Sequence, residues 1–325
     1  MDKPVILISA VCGDIGCSAV RALREAAGKI VGCDMNLYSP VFDLIDQFYN
    51  APPASETENY MDFLKNVIKR EEIGFLFPIS EPEIKVLNLR REEIELLGVK
   101  LLLNNQTIID NFLDKLRTAQ YITNIGLRAP KTALLKEYDG SFGFPLIVKP
   151  RTGHGSKRLY KVEDSVDLGY VRFKDDGLLI VQECMGSESD EYTTGVFSDG
   201  KQISSITFKR KLGYGSLSAE AILVDNPFLE NLSKQVAEAT HLIGSINIQS
   251  RRLENDDLFV PFEINPRLSS TLLFRKKFGF DDAVWWLDVL LGKGYSYKKE
   301  YKSGRAIRYV SECYFDIEKL NDEYR

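Results

Sequence analysis

Glu263 and Asn265 stand two residues apart in the stretch LFVPFEINPRLSS, residues 258–270. The stretch is typical of a strand that runs into a polar loop, and side chains two apart in a strand leave the same face. Two oxygen-bearing side chains followed by Arg267 suit a divalent cation bound to phosphate, because Mg²⁺ prefers oxygen ligands and takes only one or two carboxylates. An amphipathic edge strand whose polar face meets water explains the pair equally well.

A third oxygen is expected from Gln249, in the strand-like alternation just upstream. If residues 255–257 (Asn-Asp-Asp) form a three-residue hairpin loop, Leu253 faces Phe259 and Gln249 lies opposite Glu263. Cross-strand partners have Cβ atoms about 5 Å apart, so the three oxygens would share one patch. A four-residue loop would shift the register by one and break the arrangement.

Lys149 ends the apolar run PLIVK, residues 145–149, and the glycine-bearing loop RTGHGSK follows at 151–157. A lysine behind Leu-Ile-Val is expected to be semi-buried, and such a charge needs an anionic partner. Gly153, Gly155 and Ser156 make a flexible segment whose backbone amides could cradle phosphates. The Walker pattern is absent, and a mobile hairpin turn with solvated lysines accounts for the loop by itself.

A strand, a glycine turn, a helix and a second strand ending at Asp34 form a βαβ unit near the N-terminus. Ala10, Gly13 and Gly16 stand at a spacing of three, which is an incomplete dinucleotide-binding pattern. A nicotinamide-dependent oxidoreductase is therefore an alternative function. We favour glycines that serve only close packing.

Strands and helices alternate through residue 104, which predicts an α/β unit with a parallel sheet covered on both faces. Residues 145–265 instead contain short β runs joined by turn signals, and they predict largely antiparallel hairpins. Single helices are predicted at 82–97, 105–125, 231–243 and 280–291. The last contains Trp285 and Trp286, which are expected to pack in a core or an interface.

The composition is that of a globular protein, with 44% hydrophobic and 27% charged residues in 325. A net charge of −5 argues against a nucleic-acid partner, and no apolar run is long enough to span a bilayer. The N-terminus lacks the pattern of a signal peptide, and five cysteines without a CxxC pair fit reduced thiols in the cytoplasm. With two histidines, a His-based zinc site is not expected.

In chain order, the residues with chemical potential resemble the ATP-grasp superfamily, in particular proteins similar to the large subunit of carbamoyl phosphate synthase. They are Lys115, Lys149 with its glycine loop, Gln182-Glu183-Cys184-Met185, Glu191, Gln249 and Glu263-Ile264-Asn265-Pro266-Arg267. The resemblance covers nearly the whole chain. It implies a Rossmann-like domain at 1–104, an α+β small lobe with the glycine loop at 105–185, and a C-terminal lobe with the metal site at 186–325.

The resemblance also implies a role for each of these positions. Lys115, Lys149, Gly153, Gly155 and Ser156 would contact the ATP phosphates. The hinge Glu183, Cys184 and Met185 would bind adenine, and Glu191 would accept from the ribose hydroxyls. Gln249, Glu263 and Asn265 would hold Mg²⁺ or Mn²⁺, while Arg267 and Lys149 would be catalytic.

The chemistry implied by the resemblance is the activation of a carboxylate as an acyl phosphate, which an amine, or less often a thiol, then attacks. Small-molecule substrates are the expected partners. Trp285 and Trp286 could support a homodimer, but the sequence does not fix the oligomeric state. One copy of the module argues against carbamoyl phosphate synthesis itself, and Gln182 stands where many relatives carry an acid. A protein that binds nucleotide without turnover is the remaining alternative.

Overall fold

The computed structural model describes residues 3–153, 158–213, 215, 217–253, 258–301 and 303–315. The chain divides into two compact units. The first contains 1–105, 267–298 and 309–325, and the second contains 106–266 and 299–308. The first boundary between the two units lies after residue 105, one residue beyond the boundary expected at 104. The three-domain division itself, with a second boundary at 185, stays a prediction.

The elements are numbered along the whole chain. The strands are β1 (Val5–Ser9), β2 (Lys29–Asp34), β3 (Gln47–Asn50), β4 (Phe75–Phe77), β5 (Lys100–Leu101), β6 (Thr132–Leu134), β7 (Leu146–Pro150), β8 (Tyr160–Val162), β9 (Leu179–Glu183), β10 (Glu191–Asp199), β11 (Ile203–Leu212), β12 (Ser218–Val224), β13 (Ile243–Arg252), β14 (Phe259–Asn265) and β15 (Arg305–Ile307). The helices are α1 (Asp14–Leu23), α2 (Thr57–Glu71), α3 (Glu81–Leu89), α4 (Arg91–Glu95), α5 (Gln106–Phe112), α6 (Lys115–Asn124), α7 (Ser165–Phe173), α8 (Pro227–Ala239), α9 (Leu272–Lys277) and α10 (Asp282–Leu290).

The first unit is built on a five-stranded parallel sheet in the order β3-β2-β1-β4-β5. Its central strand is apolar on both faces, with Ile6, Leu7 and Ile8 fully buried, as expected for a sheet covered on two sides. The predicted α/β class is confirmed for this unit. In this Rossmann-like order, successive strands are added on one side of β1 up to β3 and then on its other side, so the order reverses between β1 and β4.

Two helices predicted as continuous are divided in the structure. Arg90 interrupts the predicted 82–97 helix between α3 and α4, and its φ of −116° lies outside helical geometry. The predicted 105–125 helix is divided before α6, where Asp114 caps the new N-terminus by accepting from Leu116 N and Arg117 N. A side chain that caps a helix competes with continuation of the preceding one.

The second unit contains two antiparallel sheets. The smaller has the order β6-β9-β7-β8, and the larger has the order β14-β13-β10-β11-β12-β15. Apolar side chains from α7 and the smaller sheet form one core, including Leu168, Val171 and Val148. The class predicted for residues after 104, α+β with largely antiparallel sheets, is confirmed.

The tryptophans of α10 belong to the core of the first unit. Trp286 packs edge-on against Phe77, and Trp285 contacts Phe280, Tyr295 and Tyr297. Both side chains are buried, which confirms the packing role. Among the described residues, every helix is too short or too polar to cross a bilayer.

Candidate active site

Three predicted metal ligands share one patch of the larger sheet in the second unit. Gln249 on β13 pairs directly with Glu263 on β14. Asn265, two residues further along β14, donates from Nδ2 to Glu263 Oε1 at 3.1 Å, so both side chains leave the same face. The expected arrangement of three oxygen-bearing side chains is therefore present.

The register arises by a different route from the predicted one. Phe259 pairs with Arg252 rather than with Leu253, whose N–H donates to Leu258 O instead. The register then shifts between Gln249 and Ser250, so that β14 has one extra residue there. This β-bulge restores the pairing that the loop alone would have lost. The predicted loop residues 255–257 lie outside the described residues.

Phe262 is the extra residue of the bulge, and Pro261 before it pairs with Ser250. A proline has no N–H for the ladder and is found in sheets at edges and bulges; β14 is an edge strand. The Phe262 ring lies below two cations, with Lys149 Nζ 5.8 Å and Arg251 Cζ 5.3 Å from its centroid. The bulge thus brings an aromatic face to the charged end of the site.

Lys149 lies in β7 of the smaller sheet and is 6% exposed. Burial lowers the pKa of its ammonium group to about 8, while the Glu263 carboxylate opposes that shift and Lys115 and Arg251 reinforce it. Lys149 is therefore within electrostatic range of the predicted metal ligand. Within the described part of the chain, no oxygen accepts a hydrogen bond from Lys149 Nζ. A buried cation in this state is suited to an incoming anion.

Glu191 begins β10 and is only 3% exposed. Its Oε1 accepts from Arg210 Nε at 2.8 Å, and its Oε2 accepts from Arg251 Nε at 3.0 Å. Arg210 Nη2 also donates to Gln249 Oε1 at 2.9 Å. Both carboxylate oxygens are thus engaged by guanidinium groups, and the predicted contact of Glu191 with ribose stays a prediction.

The contacts of Arg210 and Arg251 with Glu191 were not predicted from the sequence. Arg210 is buried against Glu191. Across β10 and β11, Tyr192 pairs with Lys209, so Glu191 comes opposite Arg210. Arg251 pairs with Glu191 across β10 and β13.

Lys115 lies at the start of α6 and contacts the beginning of the glycine loop. Its Nζ donates to Gly153 O at 2.5 Å, and its N–H donates to Arg151 O at 2.9 Å. Asp114 holds Arg151 by an ion pair of 2.7 Å. Gly153 adopts a φ of +103°, which only glycine takes without strain. The predicted phosphate contacts Gly155 and Ser156 lie outside the described residues.

The predicted hinge residues follow β9. Glu183 N donates to Lys131 O and Cys184 N donates to Pro145 O, so both amides serve strand pairing. The side chain of Met185 is buried, and no backbone acceptor for its N–H is found in the described residues. Gln182 is buried and donates to Thr132 Oγ1 at 2.9 Å. The predicted contact of Glu183, Cys184 and Met185 with adenine stays a prediction.

Arg267 belongs to the first unit, although it follows the metal patch by two residues in sequence. Its Nη2 contacts Glu81 Oε1 at 2.9 Å, and its Nη1 donates to Leu268 O. The guanidinium is thus held near the N-terminus of α3. Its predicted role on the reacting group stays a prediction.

The glycine turn of the first unit serves packing, as we favoured. A Cβ on Gly16 would lie 2.0 Å from Ala10 O, so only glycine permits this approach of helix to turn. Asp34 accepts from Cys12 N at 2.9 Å, and Asp14 lies in the first turn of α1. Two carboxylates at this helix N-terminus oppose the binding of a pyrophosphate.

The donor set fits a magnesium ion shared with phosphate. It provides one carboxylate and two side-chain amides, and Mg²⁺ commonly takes few protein carboxylates when phosphates complete its shell. Gln249 Oε1 keeps a second lone pair beside its bond to Arg210, and Asn265 presents its Oδ1 away from the bond that its Nδ2 makes. Clusters of three or more His, Cys, Asp or Glu are not found among the described residues.

The chain combines a unit with a parallel sheet and a unit with two antiparallel sheets. Residues 6–102 match the family described as PylC-like, N-terminal domain, and residues 176–313 match the family described as ATP-grasp in the biosynthetic pathway with Ter operon. The resemblance to the ATP-grasp superfamily is therefore confirmed.

Among curated proteins, the chain is similar to the carbamoyl phosphate synthase large chain. It is 23% identical to that of Ralstonia nicotianae over 284 residues, which covers 80% of this chain and 25% of the relative. It is also 23% identical to that of Pyrococcus furiosus, over 86% of this chain and 28% of the relative. The chain thus spans about a quarter of the length of the curated relatives it matches.

Solved structures with the same fold cover most of the chain at low identity. The N5-carboxyaminoimidazole synthetase of Staphylococcus aureus complexed with ADP has a TM-score of 0.76 at 15% identity and covers 94% of this chain and 82% of its own. The biotin carboxylase domain of 2-oxoglutarate carboxylase of Hydrogenobacter thermophilus, in complex with MgADP, ADP and bicarbonate, has a TM-score of 0.74 at 15% identity, covering 91% and 71%. An L-amino acid ligase of Bacillus licheniformis has a TM-score of 0.72 at 14% identity, covering 89% and 75%.

Proposed function

We propose that this protein is an ATP-dependent ligase that activates a small-molecule carboxylate as an acyl phosphate for attack by an amine. One observation carries the proposal: Gln249, Glu263 and Asn265 lie on one face of the sheet, within electrostatic range of the buried Lys149. Oxygen ligands beside a desolvated ammonium group suit a magnesium-bound polyphosphate. The ATP-grasp match and the ADP-bound structures of similar fold support the same substrate.

The nucleotide would be held by groups from both sheets of the second unit. Lys149 and Lys115 would neutralise the phosphates, with the backbone of the loop that begins at Gly153 closing over them. Carbonyl groups of Glu183 and Cys184 and the N–H of Met185 would face adenine. Glu191 would reach a ribose hydroxyl if Arg210 or Arg251 releases one of its oxygens.

Gln249, Glu263 and Asn265 would hold Mg²⁺, or Mn²⁺ with the same ligand types. When bound, the metal neutralises the negative charge that develops on the phosphate oxygens. Arg210 orients the Gln249 amide, and Asn265 orients the Glu263 carboxylate by its own hydrogen bond. These contacts keep the oxygens on one face before any ligand arrives.

The reaction consists of two displacements. A substrate carboxylate oxygen attacks the γ-phosphorus, the bond between that phosphorus and the β,γ-bridging oxygen breaks, and ADP leaves. The amine nitrogen then attacks the acyl carbon, phosphate leaves, and the nitrogen releases a proton to form the amide. Positioning and charge neutralisation supply the catalysis, which agrees with a site of lysines, an arginine and metal ligands. Arg267 would face the reacting carboxylate or acyl phosphate.

A coupled ADP-release screen tests the function directly. Mixtures of Mg-ATP with amino acids, hydroxy acids and amino sugars are expected to release ADP only when both a carboxylate and an amine are present. Binding of ATP without ADP release from any mixture would favour a non-catalytic nucleotide-binding protein. Thermal stabilisation by NAD but not by Mg-ATP would contradict the ligase. The free state of all five cysteines agrees with a cytoplasmic location, which we propose as well.

A further inference from the structure

Helix α7 presents an apolar stripe to solvent on the smaller sheet of the second unit. Phe173 is 90% exposed, Val166 is 77% exposed and Tyr170 is 60% exposed. The three positions have helical spacing and so lie on one face. Gly169 lies among them, and a Cβ added there would have no atom within 4 Å. A contiguous exposed apolar face of this kind marks an interaction site.

The opposite face of the same helix is well packed. Leu168 and Val171 are buried in the core of the smaller sheet, and Asp164 caps the helix by accepting from Val166 N and Asp167 N. The exposed stripe is therefore not a consequence of a poorly placed helix. The three apolar residues of the stripe lie outside the core of this sheet.

The stripe is complementary to itself when two copies of α7 cross in antiparallel fashion. The two-fold axis then passes between Gly169 and Tyr170. Val166 of one copy meets Phe173 of the other, and Tyr170 enters the open space above Gly169. A two-fold interface requires such reciprocal pairs, in which a small residue on one copy receives a large one from the other. We propose that this face of α7 binds a second copy of the chain.

Charge at the border of the stripe favours the same occupant. Asp167 and Lys174 are seven residues apart, so they lie on the same flank of the helix. In the antiparallel crossing, Asp167 of each copy comes beside Lys174 of the other, and the two helix dipoles oppose each other. Lys174 Nζ lies 4.0 Å from the centroid of the Tyr170 ring, so the cation already borders the apolar stripe.

Two further exposed apolar residues, Leu159 and Leu178, lie near the C-terminal end of α7. Arg158 pairs with Asp176 and donates to Lys174 O, which places the flanking Leu159 and Leu178 near that end. The patch remains smaller than the roughly 20–30 residues on each side of a standard interface. The dimer is therefore reversible and depends on protein concentration.

Sedimentation velocity of the full chain tests the proposal. From about 1 µM to about 500 µM, a range that brackets micromolar affinity, the average mass should rise toward that of two chains. Phe173→Glu should raise the dissociation constant at least about 10-fold, since a charge would replace an apolar anchor. Phe228→Glu is the matched control, because Phe228 is 66% exposed on α8, and it should leave the equilibrium unchanged.

Exchanging the charges of Asp167 and Lys174 tests whether this face of α7 forms the interface. Asp167→Lys and Lys174→Asp should each weaken the dimer, and the double variant should restore it. Thermal unfolding is measured for each variant, because Asp167 also accepts a hydrogen bond from Glu163 N. If a variant does not fold, Val166→Glu is used in its place. Any one of three results would overturn the proposal. The chain stays monomeric at the highest concentration, the dimer is unaffected by Phe173→Glu, or the double variant dimerises as weakly as the single variants.

Discussion

Gln249 lies directly opposite Glu263 because a β-bulge at Phe262 corrects the register of the strands that carry them. Nearer the hairpin, Arg252 pairs with Phe259, and uninterrupted pairing from that point would place Phe262 opposite Gln249. The extra residue moves Glu263 into that position. The candidate metal patch therefore depends on a local irregularity of β14 as well as on the identity of its residues.

Glu263→Ala should lower ADP release by about 100-fold or more, because it removes the only carboxylate of the proposed metal set. The apparent requirement for Mg²⁺ should rise in any residual activity. The measurement is steady-state ADP release at varied Mg²⁺, once a substrate pair is known. Before that, isothermal titration of Mg-ATP reports the same loss.

Glu163→Ala is the control for this variant. Glu163 is an exposed acid of the same unit, paired with Lys161 and outside the proposed site. Both variants should unfold at temperatures within a few degrees of the natural chain, since neither removes a core residue. ADP release undiminished in Glu163→Ala and in Glu263→Ala alike would remove Glu263 from the metal site.

Lys149 should make the stability of the protein depend on pH above neutrality. Burial lowers its pKa from 10.5 to about 8, so between these values the unfolded chain binds more protons than the folded one. The free energy of unfolding should therefore rise from pH 8 to pH 10.5 by up to about 3 kcal/mol from this group. Below pH 8 Lys149 is protonated in both the folded and the unfolded state, so the full cost of burying its charge lowers the free energy of unfolding.

Lys149→Met should remove this dependence. At pH 7 the variant should be more stable than the natural chain by up to about 3 kcal/mol, yet bind Mg-ATP more weakly, because the phosphate loses a cation. In the natural chain, Mg-ATP affinity should fall as the pH rises through 8. Urea unfolding and calorimetric titration at pH 7, 8 and 9 measure both effects, with the exposed Lys201→Met as the control. An ATP affinity unaltered by Lys149→Met would contradict the phosphate contact.

Periodicity and turn residues predicted most of the fold. The buried runs that became β1, β2, β7 and β9 were recognisable because apolar strands bounded by Gly, Pro or Asp have few alternative interpretations. Short elements were not predicted, among them β3, β12 and α7, because their few residues carry little periodic signal. The last strand is equally short, since β15 contains only Arg305–Ile307.

The residues of the site were easier to predict than their contacts. Strand alternation placed Glu263 and Asn265 on one face, and the apolar run before Lys149 predicted its burial. The bulge was not predictable from alternation, since an extra residue preserves composition and changes only register. The engagement of Glu191 by Arg210 and Arg251 depends on three strands meeting, which a pattern within one strand does not contain.

Arg210→Met should destabilise the protein and loosen the metal patch together. Glu191 would keep only Arg251, so we expect a loss of about 2 kcal/mol in the free energy of unfolding. Gln249 would lose the donor that orients it, and the apparent affinity for Mg²⁺ should fall about 10-fold. Arg305→Met, which breaks an exposed pair with Glu220 at the sheet edge, is the control and should change neither quantity appreciably. Loss of stability with an unaltered Mg²⁺ requirement would show that Arg210 has no influence on the ligand set.

Phe262→Leu tests whether the aromatic face of the bulge supports the two cations above it. Leucine keeps an apolar side chain, so the stability of the fold should change little, whereas the attraction of the ring for Lys149 and Arg251 is lost. A partly desolvated cation–π contact contributes about 1 kcal/mol, which corresponds to a fall of about 5-fold in Mg-ATP affinity. Phe262→Trp should retain the affinity, because its ring offers a stronger negative face. If leucine and tryptophan at position 262 bind Mg-ATP equally well, the ring acts only as apolar packing and the positions of the two cations are set by the strands alone.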